Sequence, residues 1–74
     1  MRYDYRKLNG KIVEVCGTQA VFAKKIGLSE RSVSLKLNNK VAFKQDEIQA
    51  SLAALQLEPS DVSTYFFTPE VQYF

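Results

Sequence analysis

The segment TQAVFAKKIGLSERSVSLKL, residues 18–37, constrains the fold of this chain more than any other. Gly27 divides it, at a point where glycine can leave a helix in a left-handed conformation without penalty. Ala23 is small enough to stand where two helices touch, and Ser29 offers an oxygen to the free N–H groups of a following helix. Apolar residues recur at spacings of three and four on both sides of the glycine: Phe22, Ile26, Val33 and Leu37. The segment therefore predicts a helix-turn-helix over about residues 18–38.

Three further helices are predicted around this motif. The first covers about residues 5–16 with Asp4 as its N-cap, another covers about residues 45–55, and a short one follows Pro59. In the loop before the fourth helix, Val41 and Phe43 are expected to fold back onto the core. We therefore predict an all-α fold in which residues 1–74 form a single domain of five short helices.

The C-terminal residues, about 67–74, are predicted to form an extended tail, since Pro69 interrupts them. Five of the nine aromatic side chains of the protein lie in its last ten positions: Tyr65, Phe66, Phe67, Tyr73 and Phe74. Tyr65 and Phe66 are expected to close the core. Because so small a domain does not bury all five aromatic side chains, a protein contact made by the tail is an open alternative.

The composition argues against catalysis and against metal binding. The chain has 74 residues, one cysteine and no histidine, so neither a Ser-His-Asp arrangement nor a zinc site can be assembled. The three glycines are isolated and form no phosphate-binding loop. Apolar runs are too short to span a membrane, and the single Cys16 fits a reducing compartment. We expect no enzyme activity, no cofactor, no small-molecule substrate, no contact with a membrane, and a cytoplasmic location in a bacterial cell.

Charge is distributed unevenly along the chain. All ten Lys and Arg lie in the first 44 residues against three acids, which gives this part a net charge of +7. The remaining residues hold five acids and no base, a net charge of −5. The positive potential therefore accompanies the helix-turn-helix, where it suits a phosphate backbone or an acidic protein partner.

The motif also predicts which residues meet a partner. If the second helix of the motif enters a major groove, its N-terminal part faces the base edges, through the residues Ser29, Glu30, Arg31, Ser34 and Leu35. A second set is expected to contact phosphate or an acidic partner: Gln19, Asn38, Lys40 and Lys44. Arg31 suits a guanine edge. Glu30 and Leu35 suit DNA less well, and an outward Leu35 could equally touch a thymine methyl or anchor a protein surface.

The stretches GLSERSVSLKLNNK, VAFKQDEI and STYFFTPEVQ resemble the small helix-turn-helix proteins of temperate phages of Gram-positive bacteria. Among these proteins, they resemble the modulator-of-repression (MOR, antirepressor) type of lactococcal phages. This resemblance covers nearly the whole chain and implies a fold like that of lambda repressor and Cro. It also implies a role in the phage switch between lysis and lysogeny, beside a CI-type repressor.

Two functions within this family remain as alternatives. As an antirepressor, the chain would bind the N-terminal domain of the CI-type repressor through Arg31, Ser34 and Leu35 and so interfere with operator binding. As an autonomous Cro-like repressor, it would bind operator DNA itself. Because Glu30 and Leu35 depart from a polar, basic reading surface, they favour the antirepressor. A third alternative, outside transcription, is a helical interaction module.

Overall fold

The helices begin and end close to the residues that the sequence predicts as helix ends. The computed structural model describes residues 2–71, and its five α-helices are α1 (Arg6–Cys16), α2 (Gln19–Ile26), α3 (Glu30–Leu37), α4 (Gln45–Ala54) and α5 (Val62–Phe66). A 3₁₀ turn, Pro59–Asp61, leads directly into α5. The predicted all-α architecture of five short helices is confirmed.

The prediction that Asp4 is the N-cap of α1 is wrong, since the N-cap is Tyr5 and the helix begins at Arg6, one residue later than predicted. Asp4 nevertheless contacts the start of the helix from one position further out. The Asp4 carboxylate accepts a hydrogen bond from the backbone N–H of Arg6 at 3.0 Å. It also pairs with the Arg6 guanidinium, whose nearer nitrogen lies 2.8 Å away. The Arg6 side chain and backbone together lower the pKa of Asp4 from 3.8 to about 2. At the other end, Gly17 has a φ of 85° and ends the helix as the sequence predicts.

The core lies where all five helices meet. Its buried members come from every helix or its immediate end: Leu8, Ile12, Phe22, Ala23, Val33, Leu55 and Phe66. The α2 helix packs against α1, α3 and α4, so it is the centre of the fold. Tyr65 and Phe66 close the core as expected, since Phe66 is 2% exposed and Tyr65 packs against the buried cluster.

Two sequence expectations about packing are wrong. The first is that Val41 folds back onto the core: it is 46% exposed, whereas Phe43, two residues further along, does pack against the core. The second concerns Gly10: because glycine costs a helix about 1 kcal/mol against alanine, its place in the first helix suggests close packing or a short first turn. A Cβ built there meets no atom within 4 Å, and four residues of α1 precede it, so neither reason applies. Both positions depend on how elements approach each other, which local spacing does not define.

The beginning of the tail lies antiparallel to the N-terminal segment. The N–H of Asp4 donates to the carbonyl of Thr68 at 2.7 Å, and the N–H of Glu70 donates to the carbonyl of Arg2 at 3.0 Å. Between these bonds Tyr3 and Pro69 form an isolated bridge. Tyr73 and Phe74, which the sequence also assigns to the tail, lie outside the described residues. Among residues 2–71, no helix combines the length and the apolar character that crossing a membrane requires.

Candidate recognition surface

The turn between α2 and α3 has the geometry that its residues predict. Gly27 adopts a left-handed conformation with a φ of 75°. The N–H of Leu28 donates to the carbonyl of Ala23 at 2.9 Å, which satisfies one of the last carbonyls of α2. Ala23 itself is 1% exposed, as expected of a small side chain where two helices touch. The two helices therefore meet as a helix-turn-helix.

Side-chain oxygens cap both helices of the motif. The hydroxyl of Thr18 accepts from the N–H of Val21 at 3.2 Å, at the start of α2. The hydroxyl of Ser29 accepts from the N–H of Ser32 at 3.1 Å, at the start of α3. Each bond satisfies a backbone donor that has no partner within its helix, which is typically worth about 1 kcal/mol. Ser29 thus helps to define the helix that carries the other predicted recognition residues.

We call the five predicted recognition residues the recognition surface: Ser29, Glu30, Arg31, Ser34 and Leu35. The first three are exposed, while Ser34 and Leu35 are half-buried. The opposite side of α3 faces inward, since Val33 is 0% exposed and Lys36 is 4% exposed. Spacings of three and four bring Arg31, Ser34 and Leu35 onto one side of the helix. A carboxylate, a guanidinium, hydroxyls and one apolar side chain are therefore available together.

The four residues predicted to contact phosphate or an acidic partner fall into two groups. Lys40 and Lys44 are exposed, so their ammonium groups are accessible to a partner. Gln19 and Asn38 already make hydrogen bonds within the chain. The Gln19 amide donates to the side-chain oxygen of Asn9 at 3.1 Å, and the Asn38 amide donates to the carbonyl of Ser34 at 2.8 Å. Contact with phosphate through either amide would have to compete with these bonds.

Behind the recognition surface lies a buried ion pair that the sequence analysis missed. The Lys36 ammonium is 2.9 Å from the Glu47 carboxylate, and the two side chains are 5% and 10% exposed. The ammonium also donates to the carbonyl of Ala42 at 2.9 Å and lies 5.9 Å from the ring centre of Phe43. The same carboxylate accepts from the N–H of Lys44 at 2.8 Å, which caps α4. Lys36 is therefore unavailable to DNA or to a partner protein.

The surroundings of Glu47 keep it charged. Burial by itself would raise the pKa of this carboxyl group, because desolvation disfavours the ionised form. The hydrogen bonds from the Lys44 N–H and from the Lys36 ammonium outweigh burial, and the pKa lies below its ordinary value of 4.5. A charged pair is thus maintained between α3 and α4 at neutral pH.

A second polar contact holds the end of α3 to the N-terminal segment. Asn39 follows the helix in a left-handed conformation with a φ of 62°. Its side-chain oxygen accepts from the N–H of Tyr3 at 2.8 Å, and its side-chain nitrogen donates to the carbonyl of Tyr3 at 2.9 Å. One side chain therefore satisfies both backbone groups of Tyr3, in the way that a neighbouring strand would.

Aromatic rings connect this contact to the core. Tyr3 packs edge-on against Phe67 with ring centres 5.6 Å apart, and Tyr5 packs in the same way against Phe43 at 5.5 Å. Phe43 in turn contacts Phe66 at 5.2 Å. These rings border a shallow groove of about 270 Å³.

No group of three or more acidic or cysteine side chains within residues 2–71 is arranged to hold a metal ion.

Comparison with known proteins shows the family of the chain and a similar solved structure. The family model described as "Protein of unknown function (DUF739)" matches residues 1–69. The chain is also similar to the modulator of repression (MOR) of the temperate bacteriophage TP901-1 from Lactococcus lactis, which is known from a solution structure. The two are 56% identical, the match covers 97% of each chain, and the TM-score is 0.79. No curated protein matches the chain.

Proposed function

This chain belongs to the family described as "Protein of unknown function (DUF739)", and we propose that it regulates the genetic switch of a temperate phage by modulating repression. The support is the near-complete match to a phage protein that is named a modulator of repression. The helix-turn-helix is consistent with such a role, although this motif alone defines no ligand.

The proposed mechanism is that of an antirepressor acting in the bacterial cytoplasm. The chain binds the N-terminal domain of a CI-type repressor through the recognition surface and prevents that domain from holding its operator. The mixed chemistry of the surface carries this proposal, because Glu30 is exposed beside Arg31 and a half-buried Leu35 lies one turn further along α3. A carboxylate at this place is repelled by phosphate and attracted by the basic surface of a DNA-binding protein. Leu35 adds apolar contact area that suits a protein interface.

An autonomous Cro-like repressor is the second candidate. The exposed ammonium groups of Lys40 and Lys44 favour it, since both follow α3, which we call the recognition helix, and suit a phosphate backbone. Arg31 is also exposed and has the fork geometry that reads guanine. Under this alternative the chain binds operator DNA in the absence of any repressor.

Fluorescence anisotropy of labelled operator DNA separates the two candidates. The chain is titrated first into DNA alone and then into DNA that is already bound by the CI-type repressor of the same phage. Weak binding to DNA alone, together with loss of the repressor signal, is the result expected of an antirepressor. Tight binding to DNA alone, with a log–log salt slope of about 0.9 per neutralised phosphate, would replace it by the Cro-like function. No effect on either sample would contradict both and favour an interaction module outside transcription.

A further inference from the structure

Helix α3, which carries the recognition surface, is held by two kinds of contact. Its N-terminal end is fixed by the turn at Gly27 and by the packing of α3 on α2. Its C-terminal end is held by Leu37, which packs against the core, and in addition by polar contacts, from Lys36 to the α4 side of the molecule and from Asn39 to the N-terminal segment. The hydrophobic effect has no preferred direction, whereas hydrogen bonds are directional, so the polar contacts add an angular restraint to the packing.

We propose that Lys36 and Asn39 are positioning residues, which fix the orientation of α3 and hence the geometry of the recognition surface. This proposal rests on the proposed function for its consequence in binding, while its structural part stands independently of any partner. Neither residue belongs to the recognition surface, and each acts on it indirectly, by holding α3 in place.

The Lys36 contact has the geometry of an anchor. Its ammonium is bound on two sides at 2.9 Å, by the Glu47 carboxylate and by the carbonyl of Ala42. Because it is almost fully buried, water does not screen or replace these bonds. Leu35 immediately precedes Lys36 along the chain, and Ser34 lies two residues before it. A rotation of α3 that broke the anchor would therefore displace both half-buried residues of the recognition surface.

The Asn39 contact prevents the same movement from the other side. Its carboxamide binds Tyr3 through two hydrogen bonds at 2.8 and 2.9 Å. Tyr3 is itself held by the bridge to Pro69 and by the ring of Phe67. The end of α3 is thus tied to a segment that is anchored independently of α4. The two polar ties therefore restrict the orientation of α3 beyond what its apolar packing does.

Two variants test the proposal, so that it can still be tested if one of them does not fold. In the double variant Lys36→Met/Glu47→Leu, apolar side chains replace the ion pair, a change that buried pairs often tolerate in stability. In Asn39→Gly the carboxamide is removed, while glycine keeps the left-handed backbone at no steric cost. The control is Lys11→Met/Glu14→Leu, which removes an ion pair on α1 whose side chains are 27% and 65% exposed.

Two measurements are made on protein that denaturation shows to be folded. Residual dipolar couplings of ¹⁵N-labelled chain report the orientation of α3 relative to α1, and titration calorimetry reports affinity for the N-terminal domain of the CI-type repressor. We expect both variants to change the couplings of α3 and to lower the affinity at least tenfold, with the control unchanged. Unchanged couplings in the folded variants, or changed couplings with unchanged affinity, would overturn the proposal. Failure of the wild-type chain to bind the repressor would contradict the proposed function, while the couplings would still decide the positioning role.

Discussion

The ammonium nitrogen of Lys36 lies 2.9 Å from the carboxylate of Glu47, and both side chains are nearly removed from water. The pair joins the recognition helix to α4 inside a domain whose buried core is otherwise apolar except for Ser51, among the described residues. Taking two charges out of water is costly, so a pair of this kind stabilises the fold only while both members and their hydrogen bonds are present. Its strongest effects are therefore seen when a single partner is removed.

Replacing Lys36 with methionine is expected to destabilise the fold strongly. The Glu47 carboxylate would remain buried with the Lys44 N–H as its donor, and breaking a buried pair typically costs about 3–5 kcal/mol. We expect a loss near the lower end of that range because this N–H bond remains. Urea denaturation followed by circular dichroism measures the change in the free energy of unfolding.

The control for this prediction is Lys11→Met on α1. Lys11 and Glu14 form an ion pair at 2.7 Å, but their side chains are 27% and 65% exposed. Exposed pairs contribute about 0–1 kcal/mol, so the control should lose less than about 1 kcal/mol. Equal losses for the two variants would contradict the special role of the buried pair.

The same pair predicts how stability depends on acid. Because the pKa of Glu47 is lower in the folded protein than its ordinary 4.5, its contribution is fully present above pH 4.5 and is lost as the pH falls below that value. Between pH 6 and pH 3, the free energy of unfolding of the variant Glu47→Gln should therefore fall less than that of the wild type. This window extends about 1.5 pH units on each side of the ordinary pKa of Glu47. Chemical denaturation at a series of pH values measures this difference.

Asp4 provides the control for the acid titration. Its pKa is lowered from 3.8 to about 2 by Arg6, so its own contribution is present above pH 3.8 and is lost as the pH falls towards 2. Asp4→Asn should therefore alter the profile at lower pH than Glu47→Gln does. If Glu47→Gln and Asp4→Asn both showed the same dependence of unfolding free energy on pH as the wild type, other carboxyl groups would dominate acid unfolding.

Local sequence rules predict the helix-turn-helix because each of its determinants acts over a few residues. Thr18 and Ser29 bond to N–H groups three residues ahead, and Gly27 needs only its own left-handed backbone. Such contacts can be derived from spacing alone. The bounds of α2 and α3 therefore follow the sequence prediction closely.

The contacts behind the recognition surface could not be predicted in the same way. Lys36 and Glu47 are separated by a loop, and their pairing depends on how that loop returns the chain to α3. One signal was available, since Lys36 lies three residues after the buried Val33 and so shares its inward side of the helix. The bond between Asn39 and Tyr3 spans 36 positions, and no local pattern indicates it.

Two glycine substitutions should change stability in opposite directions. Gly10 lies inside α1 with open space around it, so Gly10→Ala should stabilise the protein by about 0.5–1 kcal/mol through helix propensity. Gly27 has a φ of 75°, so Gly27→Ala should destabilise by about 1–2 kcal/mol through steric strain in the left-handed backbone. Thermal denaturation of both variants shows whether each change stabilises or destabilises the protein. A loss of stability for Gly10→Ala would mean that α1 packs against a neighbour at this position.

Replacing Leu35 with aspartate tests the recognition surface itself. Leu35 is half-buried on the side of α3 that carries Arg31 and Ser34, and a charge there should abolish binding to the repressor domain by removing an apolar contact and adding an unpaired carboxylate. Leu35→Ala should weaken binding less, because it removes contact area without adding a charge. The matched control is Val13→Asp, since Val13 is 54% exposed and belongs to a different helix, α1. Titration calorimetry with the N-terminal domain of the CI-type repressor, on variants whose circular dichroism spectra match the wild type, gives the affinities. Unchanged affinity for Leu35→Asp would exclude this side of α3 as the binding surface, and an equal loss for Val13→Asp would mean that the effect is not specific to it.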